Sequence, residues 1–180
     1  MIQRYIIKGY PIYKRENIAL ERIPQGTQDM LIALEDANFY SHFGFEWSMI
    51  KQAYHKNKAA DKIRFGGSTL SNQLARTLFL TTDRNYLRKY LEVQVTLIME
   101  VIMTKPRMLE LYFNYAEWGK GIYGIQTAAM AYYDTGADKL SKDQSMRLLS
   151  ILTNPLQYTP HSYAKSASAR QRMQFLRRYF

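Results

Sequence analysis

The sequence predicts a mostly α domain, and three observations carry that prediction. Leu87, Leu91, Val95, Ile98 and Ile102 recur at helical spacing through residues 84 to 103. Ser68-Thr69 and Ser141, residue types that cap helix N-termini, stand directly ahead of apolar-periodic runs. No stretch alternates apolar and polar residues as a half-buried strand does, and there is no internal repeat or low-complexity tract. At 180 residues the chain is expected to form a single domain over 1–180, large enough for a real core.

Taken in order, residues 1 to 28 mix Tyr, Ile and Pro with charge and read as an extended lead-in, with Ile18-Ala19-Leu20 followed by Ile23-Pro24. Helices are expected from about Gln28 to Asn38 and from Trp47 to Lys58. The stretch His55 to Arg64 is basic and poor in large apolar residues, so a mobile loop is expected there. Ser68 and Thr69 cap a helix running to about Leu80. In the next helix, 84 to 103, Val93, Leu97, Met99 and Val101 fill the side away from the apolar repeat, so a buried central helix is expected. Pro106 opens a further helix through Met108 to Tyr115, and Gly119, Gly121 and Gly124 break the chain into a loop. Ser141 caps a helix to Leu152 that Asn154-Pro155 ends, and Ala169 to Tyr179 forms a short basic helix.

Composition narrows the function. Hydrophobic residues at 47% and aromatics at 14% make the chain globular rather than disordered. A net charge of +10 and a pI near 9.7 favour an anionic partner: nucleic acid, a lipid headgroup surface or a pyrophosphate. No nucleic-acid recognition signature is present. The absence of Cys excludes disulfides and thiolate metal sites, and three His without a His-x₃-His pair argue against zinc. The longest apolar run, Val93 to Met103, is interrupted by Glu100 and falls short of the about twenty residues a span needs. The N-terminus lacks the charged-then-apolar layout of a signal peptide.

Two segments carry chemistry. Glu35-Asp36 close the apolar run Met30 to Leu34, and a carboxylate held against apolar surface loses solvation and becomes a better base. Gly66-Gly67-Ser68-Thr69 is a glycine-hydroxyl turn opening a helix, a common way to present backbone N–H groups to an anion. Together they predict oxygen chemistry on a phosphorylated substrate.

These residues resemble a family. Glu35, Asp36, Phe39, His42 and Gly44 meet the pattern E-D-x-x-F-x-x-H-x-G, and residues 66 to 73 meet G-G-S-T-[IL]-[ST]-Q-Q except at Asn72. Arg88, Lys89 and Glu92 meet R-K-x-x-E. Glu110, Tyr112 and Asn114 meet E-x-Y-x-N ahead of the glycine-rich stretch Trp118 to Ile125, and Asn154 to Pro160 meets N-P-x-x-Y-x-P. The chain is similar to the peptidoglycan glycosyltransferases, the lysozyme-like catalytic domain of class A penicillin-binding proteins and monofunctional transglycosylases. Gly44-Phe45-Glu46-Trp47 and Ala116-Glu117-Trp118-Gly119 look more like the monofunctional branch.

The resemblance implies a mostly α, lysozyme-like fold and polymerisation of lipid II into β-1,4-linked glycan with inversion and release of undecaprenyl pyrophosphate. It implies Glu35 as general base and Glu92, with Arg88 and Lys89, at the pyrophosphate. Substrate contacts are expected from Asp36, Ser68, Thr69, Gln73, Arg76, Arg84, Arg88 and Lys89. Arg76 stands where the family usually carries Lys, which keeps the charge and changes its geometry. No cofactor is required, and a divalent cation, Mg or Mn, near Asp36 or Glu92 is left open. The implied partners are lipid II, the growing glycan strand, the membrane surface and other cell-wall synthesis proteins, with no nucleic acid. The implied address is the extracytoplasmic face of the cytoplasmic membrane, with an N-terminal anchor outside this chain. His42 reads as a structural residue of its turn; Trp118 and Tyr123 pack under sugar rings or fill core. Two rivals stand beside this reading: an inactive relative binding within a wall-synthesis complex, hinted at by Asn72 and Arg76, and a glycan-cleaving lysozyme-like enzyme.

Overall fold

Residues 15–46, 51, 67–80 and 86–180 are described in the computed structural model of the chain. Among them, seven α-helices and one small hairpin form in this order: α1 (Gln25–Glu35), α2 (Leu70–Phe79), α3 (Tyr86–Ile102), α4 (Lys105–Tyr115), β1 (Glu117–Gly119), β2 (Ile122–Tyr123), α5 (Ile125–Tyr133), α6 (Lys142–Ile151) and α7 (Ala167–Tyr179). The predicted mostly α class holds. The helix expected at Trp47 to Lys58 and the mobile loop expected at His55 to Arg64 lie outside the described residues, except for Lys51.

The chain divides into two compact units, Met1–Leu34 with Leu109–Phe180, and Glu35–Met108. In the first, side-chain amides pin the described part of the lead-in, which forms no strand among the described residues. Asn114 accepts from Ile18 N–H at 2.8 Å through Oδ1, and its Nδ2 donates to the Ile18 and Glu110 carbonyls. Leu20 N–H donates to the Glu110 carboxylate, and Gln28 donates to the carbonyls of Leu20 and Ile23. Part of the lead-in is a 3₁₀ turn, Leu20–Arg22, rather than wholly extended. On α7 burial follows the helical period, with Ala169, Met173 and Leu176 turned inward, whereas α6 is buried on most of its sides, at Ser145, Met146, Leu148, Leu149, Ser150 and Ile151. Ser141 closes a capping box with Gln144, satisfying two orphan amides at the start of α6.

Two elements of this unit are not what the sequence predicts. The glycine-rich stretch is an antiparallel hairpin, with Glu117 opposite Tyr123, whose strands are too short to show alternation. Gly124, at φ 86°, then caps α5; a Cβ there would lie 2.8 Å from the Asn114 carbonyl. Trp118 is fully buried and stacks parallel to Phe113, ring centroids 6.4 Å apart, so it fills core.

In the second unit α2 packs along α3. The expected central burial of α3 is corrected: only Glu92, Thr96 and Met99 are buried, while Leu87, Ile98, Val101 and Ile102 are 58–75% exposed. Leu87, Leu91, Ile98 and Ile102 fall on one side of the helix, with Val101 beside them. A helix apolar all round thus turns its polar residues inward and an apolar stripe outward. No helix among the described residues is long and apolar enough to cross a membrane.

Candidate active site

The candidate residues described in Glu35–Met108 are brought together by the turn after α1, the first turn of α2 and the first half of α3. Glu35 ends α1 and is half-buried; its Oε2 accepts from Gln73 Nε2 at 2.9 Å. The amide of Gln73 thereby fixes one carboxylate oxygen and the plane of the group.

Asp36 is fully buried. Both its oxygens lie 2.9 Å from Nε2 of His42, and Oδ2 also accepts from the backbone N–H of Leu70, the first residue of α2. That corrects the expected anion cradle in part. The Leu70 N–H, a donor at the positive end of the helix, is occupied by the protein's own carboxylate. Thr69 is equally committed. It caps α2, accepting from Asn72 N–H, and its hydroxyl donates to the Gly44 carbonyl at 2.6 Å.

Asn72, where the family pattern has Gln, is 2% exposed. Its Nδ2 donates to the Gly44 carbonyl and to Thr69 Oγ1, and its Oδ1 lies 3.2 Å from the Thr96 hydroxyl of α3. Gly44 is the node where these bonds meet. At φ 75° it is in the left-handed region, and a Cβ would sit 3.1 Å from Thr96 Cγ2 and 3.4 Å from Glu100 Cγ.

Glu92 is 1% exposed and does not face solvent as an open carboxylate. Its Oε2 accepts from Arg88 at 2.7 Å and its Oε1 from Lys89 at 2.6 Å. Arg88 is mostly covered, whereas the Lys89 side chain is 53% exposed and presents charge outward. A buried carboxylate gripping two cations one turn earlier on its own helix fixes where their charge sits. Ser68 is half-buried and Arg76 is exposed near the end of α2; Arg84 lies outside the described residues.

The oxygens of Asp36 accept from the Leu70 N–H and lie against His42 Nε2, and those of Glu92 accept from Arg88 and Lys89. Among the described residues no three His, Asp or Glu side chains gather where they would hold one. The sequence reading missed Thr96, Glu100 and Lys105. Glu100, the charge interrupting the apolar run of α3, was the available signal.

A family model described as Transglycosylase matches residues 5–178. Among curated relatives, a biosynthetic peptidoglycan transglycosylase of Herminiimonas arsenicoxydans is 43% identical over 82% of this chain and 64% of its own length. Proteins of the same description from Paraburkholderia phytofirmans and Methylobacillus flagellatus are each 41% identical, over 87% and 89% of this chain and 65% and 70% of their own. The chain therefore spans just under two thirds of the length of the first two.

Proposed function

Because the chain belongs to the transglycosylase family, we propose that it is the catalytic part of a peptidoglycan glycosyltransferase that polymerises lipid II. The observation that carries this reading is the buried Glu92 holding Arg88 and Lys89, in the same unit as the half-buried Glu35. Glycan cleavage calls for an acid and a sugar cleft; a fixed pair of cations suits a leaving group that departs with negative charge.

In this reading the Glu35 carboxylate takes the proton from the 4-hydroxyl of the acceptor sugar. The freed oxygen attacks the anomeric carbon of the donor from the face opposite its pyrophosphate. The carbon–oxygen bond to pyrophosphate breaks, its electron pair leaves with undecaprenyl pyrophosphate, and the α-linkage becomes β. Gln73 keeps Glu35 oriented, and Lys89, with Arg88 behind it, meets the charge that grows on the leaving group. Ser68, Arg76 and Arg84 complete the substrate contacts. Asp36 and Thr69, which have internal partners, serve by holding the turn. No step runs through a metal ion.

The lipid tail of such a substrate requires the site to lie at a membrane, on its extracytoplasmic face. The exposed apolar stripe of α3 and the net charge of +10 suit an anionic bilayer surface. The inactive-relative reading loses one of its two hints, since Asn72 has partners inside the protein. Incubation with purified lipid II and, separately, with finished peptidoglycan tests the reading. Glycan chain growth on lipid II is the expected result; release of soluble fragments from peptidoglycan without chain growth would overturn it.

A further inference from the structure

Glu100 takes no part in the chemistry above, yet its side chain is only 3% exposed. Its Oε1 accepts from the Ser71 hydroxyl at 2.6 Å and from the Lys105 ammonium at 2.7 Å, and Lys105 is itself 15% exposed. The same ammonium lies 4.7 Å above the centroid of the buried Phe39 ring, a cation–π contact shielded from water. Glu100 Cγ also backs the Gly44 turn. One ion pair thus touches Phe39 and Gly44 of the turn that follows Glu35, and Ser71 of the first turn of α2.

Those contacts converge on the base. Phe39 N–H donates to the Asp36 carbonyl at 2.9 Å, and Leu70, next to Ser71, donates to the Asp36 carboxylate. Two residues beyond Ser71, Gln73 holds Glu35. A buried ion pair adds little to stability, because desolvation offsets its attraction and apolar replacements of similar size are commonly neutral. What it supplies is direction: a carboxylate with two short donors admits few arrangements of the groups around it.

We propose that Glu100 and Lys105 are positioning residues, which fix the 36–44 turn and the first turn of α2 against α3 and through them the carboxylate of Glu35. The effect on turnover rests on the reading of Glu35 as base; the effect on geometry does not.

The test compares Glu100→Gln, Lys105→Met and the double variant Glu100→Gln/Lys105→Met. Each single variant leaves a buried charge unpaired and lowers Tm, whereas the double variant removes both charges and regains most of that loss. In the double variant kcat for lipid II stays about ten- to a hundredfold down, the scale of a small misplacement of a catalytic group, with KM little changed. Hydrogen exchange at the Leu70 and Phe39 amides accelerates at least tenfold there. A double variant with regained Tm and parental exchange at both amides, or with parental kcat, overturns the proposal.

Ser71→Ala keeps both charges and decides the matter if the double variant fails to fold. Faster exchange at Leu70 is expected; parental exchange at Leu70 in Ser71→Ala refutes the positioning role. A parent chain without polymerisation would defeat the proposed function, and the exchange measurements would still decide this one.

Discussion

The interiors of the two units are built for different ends. In the unit formed by Met1–Leu34 and Leu109–Phe180 the described interior is mainly apolar, with Phe113, Trp118, Ile125, Leu148 and Leu176 fully buried. The polar groups buried with it, such as Gln28, Asn114 and Ser145, are uncharged and bond to backbone or to one another. In Glu35–Met108 polar residues make up much of the described interior: Asp36, Thr69, Ser71, Asn72, Glu92 and Thr96 are buried, two of them charged. An apolar core tolerates substitution that keeps volume, because dispersion and burial are not directional. A polar interior does not, because each donor needs its acceptor. The first unit stores stability; the second spends it on fixing a carboxylate and a pair of cations.

Ways to break that comparison run from large effects to small. Trp118→Ala in the apolar unit should cost about 3–5 kcal/mol, the scale of emptying a large aromatic site; urea unfolding reads it, and a loss under 1 kcal/mol would show the core to be elsewhere. In the polar unit, Asn72→Ala removes one donor from the Gly44 carbonyl and one from the Thr69 hydroxyl, while the Thr96 hydroxyl keeps its bond to the Glu92 carbonyl. A loss of about 1–3 kcal/mol is expected, together with a fall in turnover that the same loss from Trp118 truncation would not cause below the unfolding transition. Equal turnover per folded molecule in both variants would erase the distinction drawn here. Ser141→Ala removes the cap of α6 and should cost about 1 kcal/mol with turnover unchanged. At the small end, Arg22→Ala breaks an exposed pair with Asp138, for which a change of about 0–1 kcal/mol is expected in thermal unfolding.

Much of the first unit was legible because its signals are local. Ser141 ahead and Asn154-Pro155 beyond bracket α6 within a single turn of where it forms. Pro106 marks the start of α4 for the same reason. The hairpin at Glu117–Tyr123 and the helix Ile125–Tyr133 were not legible, since strands this short carry no period and the helix follows directly on a glycine run. In the second unit the motifs named the candidate residues but not the partners that hold them. The partner of the Leu70 amide is Asp36, thirty-four residues earlier, and no local rule points there. The outward-facing apolar stripe of α3 misled the reading of burial, because an apolar residue reads alike in sequence whether the fold buries it or leaves it exposed.

The central claim is that Glu35 acts as the base, and that its amide analogue changes little else. Glu35→Gln keeps the shape of the side chain and removes its basicity. Polymerisation of lipid II should fall by about 10²–10⁴-fold, the usual worth of a general base, while binding of lipid II, measured directly on the same preparation, stays within about threefold of the parent on the same reasoning. Turnover by Glu35→Gln within about threefold of the parent would contradict the account.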